Sequence, residues 1–214
     1  MSWFFDQWVY GVGHPVFEVS KLWDKVGQEL TLTVKQVQEY DTLETEFPKT
    51  RYFEGKMLIE IEDKLEEIYI KPEKENTYTF KLSSNPQFVN FDFENSWVKE
   101  ERFEKSPGEW VNQYQESKDL LAKISALGQL RKIANQASDQ QEREIVYSAM
   151  RSVILSAKTY WRIKMQTLWQ LQGLMVQNGE LTLDPDTEKM LLAVIIDEES
   201  WVRSSAIWFL GMTH

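Results

Sequence analysis

The chain has no cysteine, which removes any disulfide framework, any thiol nucleophile and any thiolate metal ligand. Histidine is almost as scarce: His14 and His214 lie at opposite ends, neither with a second histidine at helical spacing. Basic residues are outnumbered, 24 against 34 acidic, and the net charge of -10 with no basic stripe argues against nucleic acid and anionic lipid as partners. No apolar run approaches the roughly 20 residues that span a bilayer, so no membrane segment is expected. Residues 1 to 10 have neither the basic region nor the unbroken apolar core of a signal peptide, which makes a cytoplasmic location the default expectation.

Aromatic residues are plentiful. Nine tryptophans, eleven phenylalanines and eight tyrosines in 214 residues imply folded cores and exclude a disordered chain, despite a mean hydropathy of -0.47. From Val16 to Phe103 the pattern has period two and is rich in Val, Ile, Thr, Tyr and Phe. Strands are expected near 16 to 23, 29 to 38, 57 to 62, 66 to 70, 77 to 82, 87 to 92 and 97 to 103, the number an antiparallel β-sandwich requires. In the clearest of them Met57, Ile59 and Ile61 face inward, with Leu58, Glu60 and Glu62 on the wet face. The interval from Asp41 to Lys56, with Pro48 and Gly55, reads as an edge-crossing loop.

The period changes at Ser106-Pro107-Gly108-Glu109, where a serine cap, a proline at the first helical position and a glutamate three residues on make a helix start. A domain boundary is expected there, dividing 16 to 105 from 106 to 214. Helices are expected near 107 to 116, 119 to 135, 139 to 156, 160 to 176, 185 to 196 and 200 to 212, with Asn178-Gly179 as a loop and Asp184-Pro185 as a capped start. An apolar-basic, small-apolar, leucine spacing occurs three times: Ala122-Lys123, Ala126-Leu127, Leu130; then Ile163-Lys164, Thr167-Leu168, Leu171; then Val202-Arg203, Ala206-Ile207, Leu210. Offsets of 41 and 39 residues suit a HEAT-like helical solenoid, and Asp197-Glu198-Glu199-Ser200-Trp201 precedes the last copy. The third copy runs to Gly211-Met212-Thr213-His214 without a polar capping repeat, so Trp201, Ile207, Trp208 and Leu210 are expected to leave apolar surface open.

Candidate chemistry is thin. His14, in a Gly-x-Gly-His-Pro turn, reads as a hydrogen-bonding turn residue. The acid pairs Glu60/Glu62, Glu66/Glu67 and Glu100/Glu101 read as solvated strand faces rather than a glycosidase acid and base. Trp161, Trp169, Trp201 and Trp208 have the spacing of a solenoid core rather than of a stacking platform for peptide or bases. The run Trp3-Phe4-Phe5-Asp6-Gln7-Trp8-Val9-Tyr10 puts five aromatics in the first ten residues, with Phe4 and Trp8 one helical turn apart. It is too short and lacks the basic residues to hold a membrane, and reads as a docking stripe against a neighbouring domain or against the sandwich itself.

That run, continued through Gly11-Val12-Gly13-His14-Pro15-Val16-Phe17-Glu18-Val19, resembles the segment of aminopeptidase N family zinc aminopeptidases where the catalytic domain's last helix meets a β-sandwich. Leu30-Thr31-Leu32-Thr33-Val34-Lys35-Gln36-Val37-Gln38 resembles the family's next strand with its paired glutamines. Asn85-Pro86-Gln87-Phe88-Val89-Asn90-Phe91-Asp92 resembles a late strand, and Glu109-Trp110-Val111 with Ala122-Lys123-Ile124-Ser125-Ala126-Leu127 the entry to the C-terminal helical domain. The resemblance implies that residues 1 to 15 are a remnant helix and turn of a missing catalytic domain, 16 to 105 its sandwich neighbour and 106 to 214 a truncated helical arch. The family's H-E-x-x-H helix, in which the glutamate is general base, and its Gly-Ala-Met-Glu-Asn strand are absent. The expectation is therefore a non-catalytic portion with no cofactor of its own, zinc belonging to the missing domain. Its expected partners are that domain and, through exposed ends at Phe4, Trp8, Trp201 and Trp208, other copies of itself. A second expectation is a zinc-less interaction scaffold, like the family-related subunit of a general transcription factor.

Overall fold

The computed structural model describes residues 2–39, 49–177, 180–197 and 199–212. The chain divides into two compact units, Met1–Ser106 and Pro107–His214, and runs from β to α. Pro48, Asn178-Gly179, Glu198, Thr213 and His214, each part of a sequence expectation, lie outside the described residues.

The first unit opens with one turn of helix, α1 (Ser2–Phe5), that continues as a π-helical turn, Asp6–Tyr10. Seven strands follow: β1 (Val16–Asp24), β2 (Glu29–Gln36), β3 (Gly55–Ile61), β4 (Lys64–Ile70), β5 (Glu75–Lys81), β6 (Val89–Asn90) and β7 (Glu100–Phe103). They form a four-stranded sheet, β5-β2-β1-β7, and a three-stranded sheet, β4-β3-β6. The expectation of purely antiparallel sheets is corrected at β7, which pairs parallel with β1 from Val16↔Glu100 to Val19↔Phe103. Period-two patterning fills the core from both sheets. Phe17, Val19, Leu30, Leu32 and Val34 from the first meet Met57, Ile59, Ile61, Ile68, Ile70 and Val89 from the second in one cluster.

Glu60 departs from its expected wet face. It is fully buried, because β6 adds to β3 with Glu60 opposite Asn90, whose amide donates to Glu60 Oε2 at 3.4 Å. The expected strand 87 to 92 shrinks to two residues because Asp92 takes a left-handed φ of 60° and turns the chain into a 3-10 turn, Phe93–Asn95.

The second unit holds α2 (Pro107–Glu116), α3 (Leu120–Gln136), α4 (Gln140–Leu155), α5 (Trp161–Met175), α6 (Pro185–Val194) and α7 (Ser200–Gly211). Aspartates start three of them: Asp119, Asp139 and Asp184 accept from backbone N–H groups at 2.8, 2.9 and 2.8 Å, filling donors the helix itself leaves open. Packing alternates, with α3 on α5 and α5 on α7, and α2 on α4 and α4 on α6. One apolar core runs through all of them, from Trp110 to Phe209. Between α5 and α6 lies a short hairpin, β8 (Val176–Gln177) with β9 (Glu180–Leu181). Two of the repeat's basic residues reach back: Lys123 donates to the Tyr114 and Gln115 carbonyls in the last turn of α2 at 2.9 and 2.5 Å, and Arg203 to the Asp197 carbonyl, three residues past α6, at 2.7 Å.

Candidate docking surfaces

The N-terminal turn is held to its own unit by side-chain amides. Gln7 is buried; its Nε2 donates to the Glu54 carbonyl at 2.8 Å and its Oε1 accepts from the Glu54 N–H at 3.0 Å. Gln36 does the same one residue earlier, donating to the Phe53 carbonyl at 2.8 Å and accepting from the Phe53 N–H at 2.8 Å. Gln38 donates to the Arg51 carbonyl at 2.8 Å. Three glutamine amides thus stand in for a neighbouring strand along 51 to 54, where backbone groups need partners.

Trp8 follows from that clamp. Its ring stands 4.8 Å from Phe53 and 5.7 Å from Trp97, and the residue is half-buried, so at Trp8 the stripe packs against the sheet unit. Trp97 is fixed in turn by Asp92, which accepts from the Ser96 and Trp97 N–H groups at 3.0 Å each, from Ser96 Oγ at 2.6 Å, and from Lys99 Nζ at 2.8 Å. With these donors around it, Asp92 anchors the turn that carries Trp97. Gly55, at a φ of 152°, lets the ring come close: a Cβ there would meet Trp97 at 3.0 Å. Above it opens a cavity of about 430 Å³ lined by Trp3, Phe4, Trp8, Glu54 and Trp97 among others. Trp3 and Phe4 are exposed on its lining, and Phe5 is exposed beside Phe4.

The second surface lies on α7. Val202, Ala206 and Phe209 are buried, whereas Trp201 is 64% exposed and Trp208 57%, seven residues apart and so on one face. Trp169 on α5 is exposed as well. Of Trp161, Trp169, Trp201 and Trp208 only Trp161 packs partly into the core, which corrects the expectation that these four build it; Trp110 on α2 is the tryptophan buried there. That core is made of smaller residues at the repeat positions, Ala126, Leu130, Thr167 and Leu171.

The described residues offer no zinc site. No group of three or more His, Cys, Asp and Glu among them is placed to hold a metal ion. His14 Nε2 sits 3.2 Å from Glu100 Oε1 at an exposed position. Glu66 is half-buried and Glu67 exposed; Glu67 pairs with Lys56 at 2.8 Å. Among the described residues no helix is long and apolar enough to cross a membrane.

The sequence missed the roles of Gln7, Asp92 and Asp197. The last accepts from Lys164 Nζ at 2.7 Å and from the Glu199 N–H at 3.0 Å; burial pushes its carboxyl up, but these bonds outweigh it and hold the group below the usual carboxylate value. The signal was the recurring basic residue of the repeat.

No protein-family model and no curated protein matches the chain. Among solved structures, the Legionella pneumophila aminopeptidase A in complex with aspartic acid is similar, with a TM-score of 0.65 at 11% identity. The likeness covers 92% of this chain and 27% of that one, so the chain spans about a quarter of the enzyme's length. At that identity it is a likeness of fold: this chain has an aminopeptidase-related fold.

Proposed function

We propose that the chain is the non-catalytic part of a zinc aminopeptidase-like protein of the aminopeptidase N kind: a β-sandwich followed by the opening of a HEAT-like helical arch. The observation that carries this reading is the fold likeness over 92% of the chain to about a quarter of an aminopeptidase. Two sheets filling one core support the sandwich, and the alternate packing of the helices supports the arch. In this reading residues 1 to 15, 16 to 105 and 106 to 214 are the entry helix and turn, the sandwich and the arch. The sandwich braces a catalytic domain and the arch limits peptide access to it. Zinc and the general base belong to that domain, which docks on the exposed rings of Trp3, Phe4 and Phe5.

A zinc-less interaction scaffold of the same fold is the alternative, a use that the face of a helical solenoid suits. Tagged chain recovered from the cells that produce it separates the two. The enzyme reading expects a co-eluting polypeptide with an H-E-x-x-H helix, bound zinc and hydrolysis of aminoacyl-anilides, its recovery reduced by Phe4→Ser. Recovery of stoichiometric partners without any zinc peptidase supports the scaffold instead.

A further inference from the structure

The rings around Gly55 enclose a space as well as covering one. A Cβ on Gly55 would lie 3.0 Å from Trp97 Cζ2 and 3.7 Å from Trp3 Cη2, so two indoles converge over a backbone that carries no side chain. Trp8 stands at 78° to Trp97, and Phe4 at 79° to Trp3. Rings crossed in this way form walls about the cavity of about 430 Å³. Such a volume is in the range of small-ligand sites, roughly 300 to 1,000 Å³. Two walls are fixed from behind. Trp97 Nε1 donates to the Lys56 carbonyl at 2.9 Å, and Trp8 rests on buried Phe53.

The polar groups of the lining select among ligands. The Glu54 carbonyl already accepts from Gln7 Nε2 at 2.8 Å, the Lys56 carbonyl from Trp97, and Glu54 Oε2 from the Tyr69 phenol at 2.6 Å. A ligand rich in N–H donors, such as a guanidinium, therefore finds these acceptors in use. Charge favours a cation. The Lys56 ammonium is paired with Glu67 at 2.8 Å, whereas the partner of the Glu54 carboxylate is a neutral phenol, which leaves one negative charge in surplus. Ring faces are negative too, so an anion is repelled by both and a cation drawn by both. A cation clothed in methyl groups meets every condition: it suits aromatic walls and asks for no acceptor.

We propose that the cavity over Gly55 is an aromatic cage for a quaternary ammonium group, with Trp3, Phe4, Trp8 and Trp97 as its walls and Glu54 as its negative charge. The cage does not rest on the aminopeptidase reading.

Titration of the purified chain with choline, followed by the N-methyl proton resonance, tests it. A dissociation constant of about 1 mM or tighter is expected. The neutral isostere 3,3-dimethylbutan-1-ol, a tert-butyl group in place of trimethylammonium, should bind about fivefold more weakly or worse. Trp3→Leu and Phe4→Leu keep apolar bulk at exposed positions and remove a ring, and each should weaken choline about threefold or more. Glu54→Gln should weaken choline and leave the alcohol unchanged. Acetyl-trimethyllysine amide, run in parallel, separates the sources of the group: tighter binding of choline assigns a free small molecule, tighter binding of the amide a modified side chain. No shift up to about 20 mM choline, equal binding of the neutral isostere, or indifference to both Trp3→Leu and Phe4→Leu would each overturn the proposal.

Discussion

Gln36 shows how much a single side chain carries in the sheet unit. Its amide serves both backbone groups of Phe53 in a dry environment, and Gln36→Ala would leave both unanswered. A loss of about 3 kcal/mol in urea unfolding is expected, and a loss under about 0.5 kcal/mol would show that water replaces the amide. Trp8→Ser is expected to lower stability by about 2 kcal/mol, since it empties a space between Phe53 and Trp97. Asp197 gives a pH signature. Its carboxyl is held below the unfolded value of about 3.9, so its contribution is complete above that pH and fades as pH falls through the lower folded value. Asp197→Asn should therefore flatten the acid limb of a melting-temperature profile and leave its slope above about pH 5 unchanged. The role of Gln36 was not visible in the sequence: glutamines in a strand look like any polar face, and only the fold says that 51 to 54 lies beside them.

At the scale of elements the helices of the second unit were legible to within a residue or two at most ends, because capping aspartates and 3.6-residue periodicity act locally. Strands were less so. Val89–Asn90 is cut short by the left-handed turn at Asp92, and Glu60 is buried by a strand thirty residues away in sequence, neither of which period two encodes. The β8–β9 hairpin was passed over although Asn-Gly between short extended stretches is a hairpin signal. Asp184 couples local and tertiary structure in α6: it caps the helix through Thr187 and meets Arg151 of α4 at 3.4 Å. Asp184→Ala should cost about 2 kcal/mol, more than the roughly 1 kcal/mol of an isolated cap, and faster amide exchange confined to the first turn of α6 would contradict the coupling.

The molecule as a whole joins a sheet unit and a helical unit in a chain whose fold is similar to part of an aminopeptidase, and among the described residues no group of three or more His, Cys, Asp and Glu is placed to hold a metal ion. Its proposed function is structural: exposed rings at Trp3, Phe4 and Phe5 receive a catalytic partner, and the chemistry is the partner's. Metal content and hydrolysis of aminoacyl-anilides, measured on the purified chain after dialysis and again with a chelator, test that claim most directly. Zinc well below one per chain and no hydrolysis above the uncatalysed rate are the predicted results. One tightly held zinc per chain together with chelator-sensitive peptidase activity would contradict them.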